Sequence, residues 1–317
     1  MKKRIISVLL ATVFALSVIG CGTKDTKEQD AYRQYGITCM ESGKYEDAVK
    51  AFQNALGESI GHIGEKELDI CFYKAKAQAL DGKTKDALAT YNAIIKYNKD
   101  ARAYYLRGDL YMDMGEEKKG RADFESAVQQ GKKNYEIYIG IYESLSRHEK
   151  KDEGQKYLSA AMEIKGDKPE DELYKGRISY LLGENKDAIS YLEKAKEHKQ
   201  MLASYYLGLA YDANGDSDKA KKCIAEYIKS GVATSYDLYE LGMQEMQDGN
   251  YKNALTYFNS GLELEKVPNK QNLMKSAIAA YEYSGDFDSA KKMMKEYLKA
   301  YPDDEEAKHE NTFLHQP

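Results

Sequence analysis

The sequence predicts an all-α chain built from stacked pairs of short helices, and three observations carry that expectation. Gly108, Gly176, Gly208 and Gly242 stand 68, 32 and 34 residues apart, which is two periods and then one and one of a repeat of about 34 residues. Seven residues after each comes a second glycine (Gly115, Gly183, Gly215, Gly249), and five further on a small residue (Gly120, Ala188, Ala220, Ala254). On both sides of the second glycine, apolar residues recur at spacings of three and four, as on one face of a helix. Between Tyr205 and Tyr227, for example, Leu207, Ala210 and Tyr211 form one stripe, Asn214-Gly215-Asp216 breaks it, and Ala220, Ile224 and Tyr227 resume it.

The first element is not a repeat. Lys2-Lys3-Arg4 precedes an apolar run from Ile5 to Ile19, the layout of a secretory signal. The run ends in Val18-Ile19-Gly20-Cys21, which resembles the bacterial lipobox, in which the cysteine is lipidated and becomes the new N-terminus. That resemblance implies a signal peptide over 1–20, a lipid on Cys21 and a short polar tether over 21–28, reaching at most roughly 25 Å from the membrane surface. No later segment approaches the roughly 18 apolar residues of a spanning helix, so acyl chains would be the anchor.

The repeats then fill 29–304. Stacked on the glycine register they fall at about 29–62, 68–101, 101–134, 135–168, 169–202, 201–234, 235–268 and 271–304. The third, fifth, sixth and seventh are the clearest: Tyr104-Tyr105-Leu106-Arg107-Gly108, Glu172-Leu173-Tyr174-Lys175-Gly176, Ser204-Tyr205-Tyr206-Leu207-Gly208 and Leu238-Tyr239-Glu240-Leu241-Gly242, followed by Phe124, Leu192, Ile224 and Phe258. The first carries Tyr32, Gly36, Gly43, Ala48 and Phe52. The second follows an insertion near 57–64 and carries Ala75, Gly82, Ala87 and Tyr91. The fourth has Glu149 where the others have the turn glycine, and the eighth closes on Pro302. The tail, 305–317, is expected to cap the last repeat, because a stacked layer cannot leave its final apolar face open.

This pattern of aromatic, Leu, Gly, Tyr, Ala and Phe resembles the tetratricopeptide repeat. The resemblance implies a solenoid of about eight helix-turn-helix repeats wound as a right-handed superhelix, with a concave wall formed by the first helix of each pair. It also implies that this wall holds a protein or extended peptide partner. The family's inward slots here would be filled by Phe72, Tyr105, Tyr180, Tyr205, Tyr239, Met243 and Tyr283, with Met112, Leu173, Arg177, Asp212 and Met246 in others. Rigid tyrosines and pliable methionines would make an adaptable apolar groove. The Lys and Asn slots with which chaperone-binding members clamp a terminal carboxylate are not reproduced: Arg33 and Ile37, Phe72 and Lys76, and Tyr105 and Asp109 stand there.

Composition narrows the function classes. The chain has 47 basic against 52 acidic residues, and loss of Lys2, Lys3 and Arg4 with a signal would move the net charge from −5 to about −8, which argues against a nucleic-acid groove. Its 28 tyrosines and absence of tryptophan suit thin helix layers with half-wet seams. Cys39, Cys71 and Cys223 stand alone at helix slots and read as packing thiols. His62, His148, His198, His309 and His315 are scattered. Gly82-Lys83-Thr84 lacks the strand and first glycine of a phosphate loop, and the run Asp212, Asn214, Asp216, Asp218 lacks the glycine and glutamate of a calcium loop. No nucleophile, base and orienting group can be assembled, so neither enzyme activity nor a cofactor is expected. The expected function is a lipid-anchored scaffold or adaptor on the extracytoplasmic side of the cell membrane, serving an envelope machine. Gly22 after the cysteine would permit the outer membrane in a two-membrane cell. The alternative is a receptor that takes a peptide or glycan in the aromatic groove for uptake or sensing.

Overall fold

The computed structural model describes residues 27–59, 63–166 and 168–314, so the signal segment and Cys21 lie outside the described residues. The chain divides after Glu184 into two compact units. The first holds α1 (Lys27–Glu41), α2 (Tyr45–Gly57), α3 (Glu65–Leu80), α4 (Thr84–Asn98), α5 (Ala101–Asp113), α6 (Glu117–Gln130), α7 (Tyr135–Arg147), α8 (Lys151–Met162) and α9 (Pro169–Leu182). The second holds α10 (Asn185–Glu197), α11 (Leu202–Ala213), α12 (Ser217–Lys229), α13 (Ser235–Gln247), α14 (Tyr251–Leu262), α15 (Lys270–Tyr283), α16 (Phe287–Ala300) and α17 (Glu305–Leu314). Among the described residues there is no strand, so the fold is an all-α repeat fold.

In four of the described helix pairs a glycine on the first helix meets a large residue sixteen residues later on the second. A Cβ added at Gly36 would lie 2.6 Å from Phe52, at Gly108 2.9 Å from Phe124, at Gly208 2.4 Å from Ile224 and at Gly242 2.3 Å from Phe258. Phe52, Phe124 and Phe258 are fully buried, so these glycines are required by the close approach of two backbones. The turn between the helices needs a residue in the left-handed region, which costs an L side chain about 1–2 kcal/mol. Gly249 fills it at φ 76°. In the fourth pair Glu149 is forced to φ 62° instead.

Neighbouring pairs then share cores. In the first unit Cys39, Phe52 and Ala55 pack with Ile70 and Ala77 of the next pair, and Phe124 and Ala127 with Ile137, Ile141 and Leu145. In the second, Phe258 packs with Leu273 and Ala277, and Met294 and Tyr297 with Ala307 of α17. The α17 contact is reinforced where Asp304 accepts hydrogen bonds from Tyr297 at 2.5 Å and the Lys275 ammonium at 2.8 Å. These two donors hold the Asp304 carboxyl well below the usual carboxylate range.

Candidate partner-binding surface

First helices run beside first helices. α1 touches α3 and α5 touches α7 in the first unit, and α13 touches α15 in the second, whereas no comparable contact joins successive second helices among the described residues. Each unit therefore has a first-helix face, and the two faces are built from different chemistry.

On the first unit's face, charged side chains bridge the helices. Arg33 on α1 meets Asp69 on α3 at 2.7 Å. Arg147 on α7 meets Asp109 on α5 at 2.5 Å, with His148 3.2 Å from Asp113 beside it. Arg177 on α9 reaches both Glu143, at 3.0 Å, and Glu136, at 3.3 Å, on α7. Burial pushes the Glu143 carboxyl up, and Arg177 opposes the shift. Burial followed by Asp109 raises Asp113. Lys76 on α3 is shifted down by burial alone.

Two of the sequence-assigned groove residues are absorbed by this packing. Phe72 is only 7% exposed: it sits in a core with Leu68, Tyr91, Ile94 and Ala103, and the Arg102 guanidinium covers its ring at 4.7 Å. Its assignment to a partner-facing wall is corrected, since a cation from the next repeat occupies the ring face a partner would need. Tyr105 is half-buried, its phenol lodged where a Cβ at Gly140 would come within 2.6 Å, so the ring works as the spacer between α5 and α7. Burial drives its hydroxyl well above the usual phenol range. Tyr180 on α9 is half-buried.

The second unit's face is built on aromatic and methionine side chains. Tyr205 on α11 is half-buried and packs edge-on against Tyr206 at 5.1 Å and against Tyr227 at 5.3 Å. On α13, Tyr239, Met243 and Met246 lie half-buried over the core of Ala254, Phe258 and Leu273. Across the seam, the Ser276 hydroxyl of α15 is 3.6 Å from the Met243 sulfur. Tyr283 is 67% exposed and stacks on Tyr251 at 5.3 Å. Tyr239 and Met243 are thus the two assigned residues brought together, Tyr205 stands in the adjoining aromatic cluster, and Tyr283 lies at the turn end. Among the described residues of this unit, no ion pair joins α11, α13 and α15.

Sequence reading missed the inter-helix charge ladder and the Tyr251 partner of Tyr283. The ladder had a signal: Arg33 and Asp69, Asp109 and Arg147, and Glu143 and Arg177 are opposite charges 36, 38 and 34 residues apart, about one repeat. Cys39 and Cys223 are buried and Cys71 half-buried, all three unbridged, and burial raises the Cys71 and Cys223 thiols. Among the described residues no three His, Cys, Asp or Glu side chains converge as a metal site, and no helix is long and apolar enough to cross a membrane.

Family models described as tetratricopeptide repeat match residues 36–95, 74–135, 202–230 and 271–304, together about half of the 317 residues. The chain belongs to the tetratricopeptide repeat family. No curated protein sequence matches it significantly. Among solved structures, this tetratricopeptide repeat protein is similar to the Cut9–Hcn1 hetero-tetramer of the APC/C at 15% identity, with 90% of this chain covered and a TM-score of 0.44. It spans 56% of that chain. It is also similar to a tetratricopeptide repeat protein from Parabacteroides merdae at 12% identity, covering 80% of this chain and 99% of that one, with a TM-score of 0.47. PilW, a type IV pilus biogenesis factor, matches at 18% identity over 66% of this chain and 97% of its own, with a TM-score of 0.44. As a tetratricopeptide repeat protein, the chain is a scaffold for protein–protein interaction.

Proposed function

We propose that this tetratricopeptide repeat protein is a lipoprotein adaptor, anchored through Cys21 on the extracytoplasmic side of the cell membrane, that holds an envelope protein on the first-helix face of its second unit. The carrying observation is the half-buried row of Tyr205, Tyr239, Met243 and Met246, which no charged ladder ties down. Such side chains offer apolar area at low ordering cost, and methionine adapts its shape to the surface it meets. The anchoring half of the reading rests on the basic flank, the apolar run and Val18-Ile19-Gly20-Cys21. In-cell cross-linking of the tagged full chain, followed by mass spectrometry of membrane extracts, tests both halves. One dominant envelope protein is expected, lost when Tyr205, Tyr239 and Met243 are changed to Ala, with the chain itself moving out of the membrane fraction in Cys21→Ser. Unchanged capture in the triple variant would remove the face from the account.

A second reading, a receptor for a peptide or glycan, is favoured by one feature: Tyr283 presents an exposed ring already stacked on Tyr251. Micromolar binding of peptidoglycan fragments, lost in Tyr283→Ala, would support it.

A further inference from the structure

We infer that the first-helix face of the second unit takes a basic amphipathic segment, one whose apolar side chains seat on Tyr205, Tyr239 and Met243 while its lysines or arginines meet Asp212, Glu240 and Glu282. The inference rests on the reading of this face as a binding surface and adds the chemistry of what binds.

The observation is a set of carboxylates without counter-ions. On α11, Asp212 follows Leu209 by three residues and Tyr205 by seven, so it ends the same helical stripe. On α13, Glu240 stands three residues before Met243, on the adjoining row. On α15, Glu282 immediately precedes the exposed Tyr283. Among the described residues none of the three has a lysine, arginine or histidine within ion-pair distance. The charged neighbours that act on Glu240 and Glu282 are of the same sign. Burial and then Asp237 push the Glu240 carboxyl up, burial and then Glu310 on α17 push Glu282 up, and burial, followed by Glu245 and Asp212, raises the Tyr257 phenol. Lys275 of α15 is turned to the α16 and α17 side, where it bonds Asp304 and covers the Tyr297 ring.

The first unit supplies the contrast. There Asp69, Asp109 and Glu143 on the corresponding helices are each held by an arginine, so that face has its counter-ions built in. Carboxylates without built-in counter-ions beside an apolar stripe attract a cationic partner and turn away an acidic one. This gives selectivity as well as attraction.

The test uses the full chain in phosphatidylcholine nanodiscs, with empty nanodiscs as the blank. The probes are two fluorescein-labelled peptides of twelve residues in the same order, one of Leu, Ser and four Lys, the other with Gln in place of Lys. The Lys peptide is expected to bind roughly tenfold tighter at low salt, with the advantage shrinking as salt rises. Asp212→Asn, Glu240→Gln and Glu282→Gln together should erase that advantage. A control with Glu197→Gln, Asp218→Asn and Glu263→Gln, which removes the same charge from other exposed positions, should keep it. Equal binding of the two peptides, or equal loss in the control variant, overturns the inference. If the Gln peptide binds equally well and Tyr239→Ala with Met243→Ala abolishes it, the binding face stands and only its charge preference falls. Binding of neither peptide overturns both.

Discussion

The two units have equivalent cores and unlike faces. In each, a glycine on a first helix admits a fully buried phenylalanine from the second, Gly108 with Phe124 in one and Gly242 with Phe258 in the other. On the first-helix faces the likeness ends. The first unit ties its helices with Arg33–Asp69, Arg147–Asp109 and Arg177–Glu143, and the second leaves Tyr239 and Met243 half-buried, with no ion pair among the described residues joining α11, α13 and α15. The repeat fixes the interior, so one scaffold can make one face rigid and self-satisfied and leave another open to a partner.

If the cores are equivalent, truncating them should cost the same. Phe124→Ala and Phe258→Ala are each expected to destabilise by about 3–5 kcal/mol, measured by urea unfolding. A difference of more than about 1.5 kcal/mol between them would break the comparison at its root.

The faces should respond unequally. Arg177→Ala removes the cation shared by Glu136 and Glu143 and leaves a buried carboxylate exposed to its own desolvation, an expected loss of about 2–3 kcal/mol. Asp212→Asn, on a face with no ion ladder, should change stability by less than about 0.5 kcal/mol. The pH signature follows from Glu143. Its folded carboxyl is raised above the unfolded value, so its contribution is present below that value, about pH 4.3, and is lost as pH rises through the folded one. Arg177→Ala should move the Glu143 titration further up, read by carboxyl carbon NMR.

A smaller effect sharpens the picture within the first unit. Glu149 takes the left-handed turn conformation that glycine takes in the other pairs, so Glu149→Gly should stabilise by about 0.5–1 kcal/mol, visible as a higher thermal midpoint. The reverse change at Gly249, to Ala, should cost a similar amount. The gentlest prediction concerns α17. Asp304 is depressed in the folded state by Lys275 and Tyr297, so its contribution is present above the unfolded carboxyl value, near pH 4, and fades as pH falls toward the folded one. Amides of α17 should lose exchange protection below about pH 4 before those of α13 do.

Much of this was legible in the sequence because it is periodic. The glycine at the helix contact, the small residue opposite and the large buried residue sixteen residues on recur in phase, so helix pairs and shared cores follow from the sequence. The face was less legible. Phe72 occupies an inward slot by count, yet Asp100 positions Arg102 over its ring, a contact between repeats that no count within one repeat reveals. Tyr105 falls in a groove slot by count, but Gly140, one period on, is the residue that receives it, and a missing side chain gives no periodic signal. Ion pairs across a repeat leave their trace only when equivalent positions of neighbouring repeats are compared for charge.

The central claim is that the second unit's face, and not the first's, holds the partner. Its most direct measurement places a photo-cross-linking residue at Met243 in one full-length chain and at Lys76, in the first unit, in another, and irradiates living cells expressing each. A discrete adduct from Met243 with none from Lys76 is the expected result. An adduct from Lys76 with none from Met243 would contradict the account and move the binding face to the ion-paired unit.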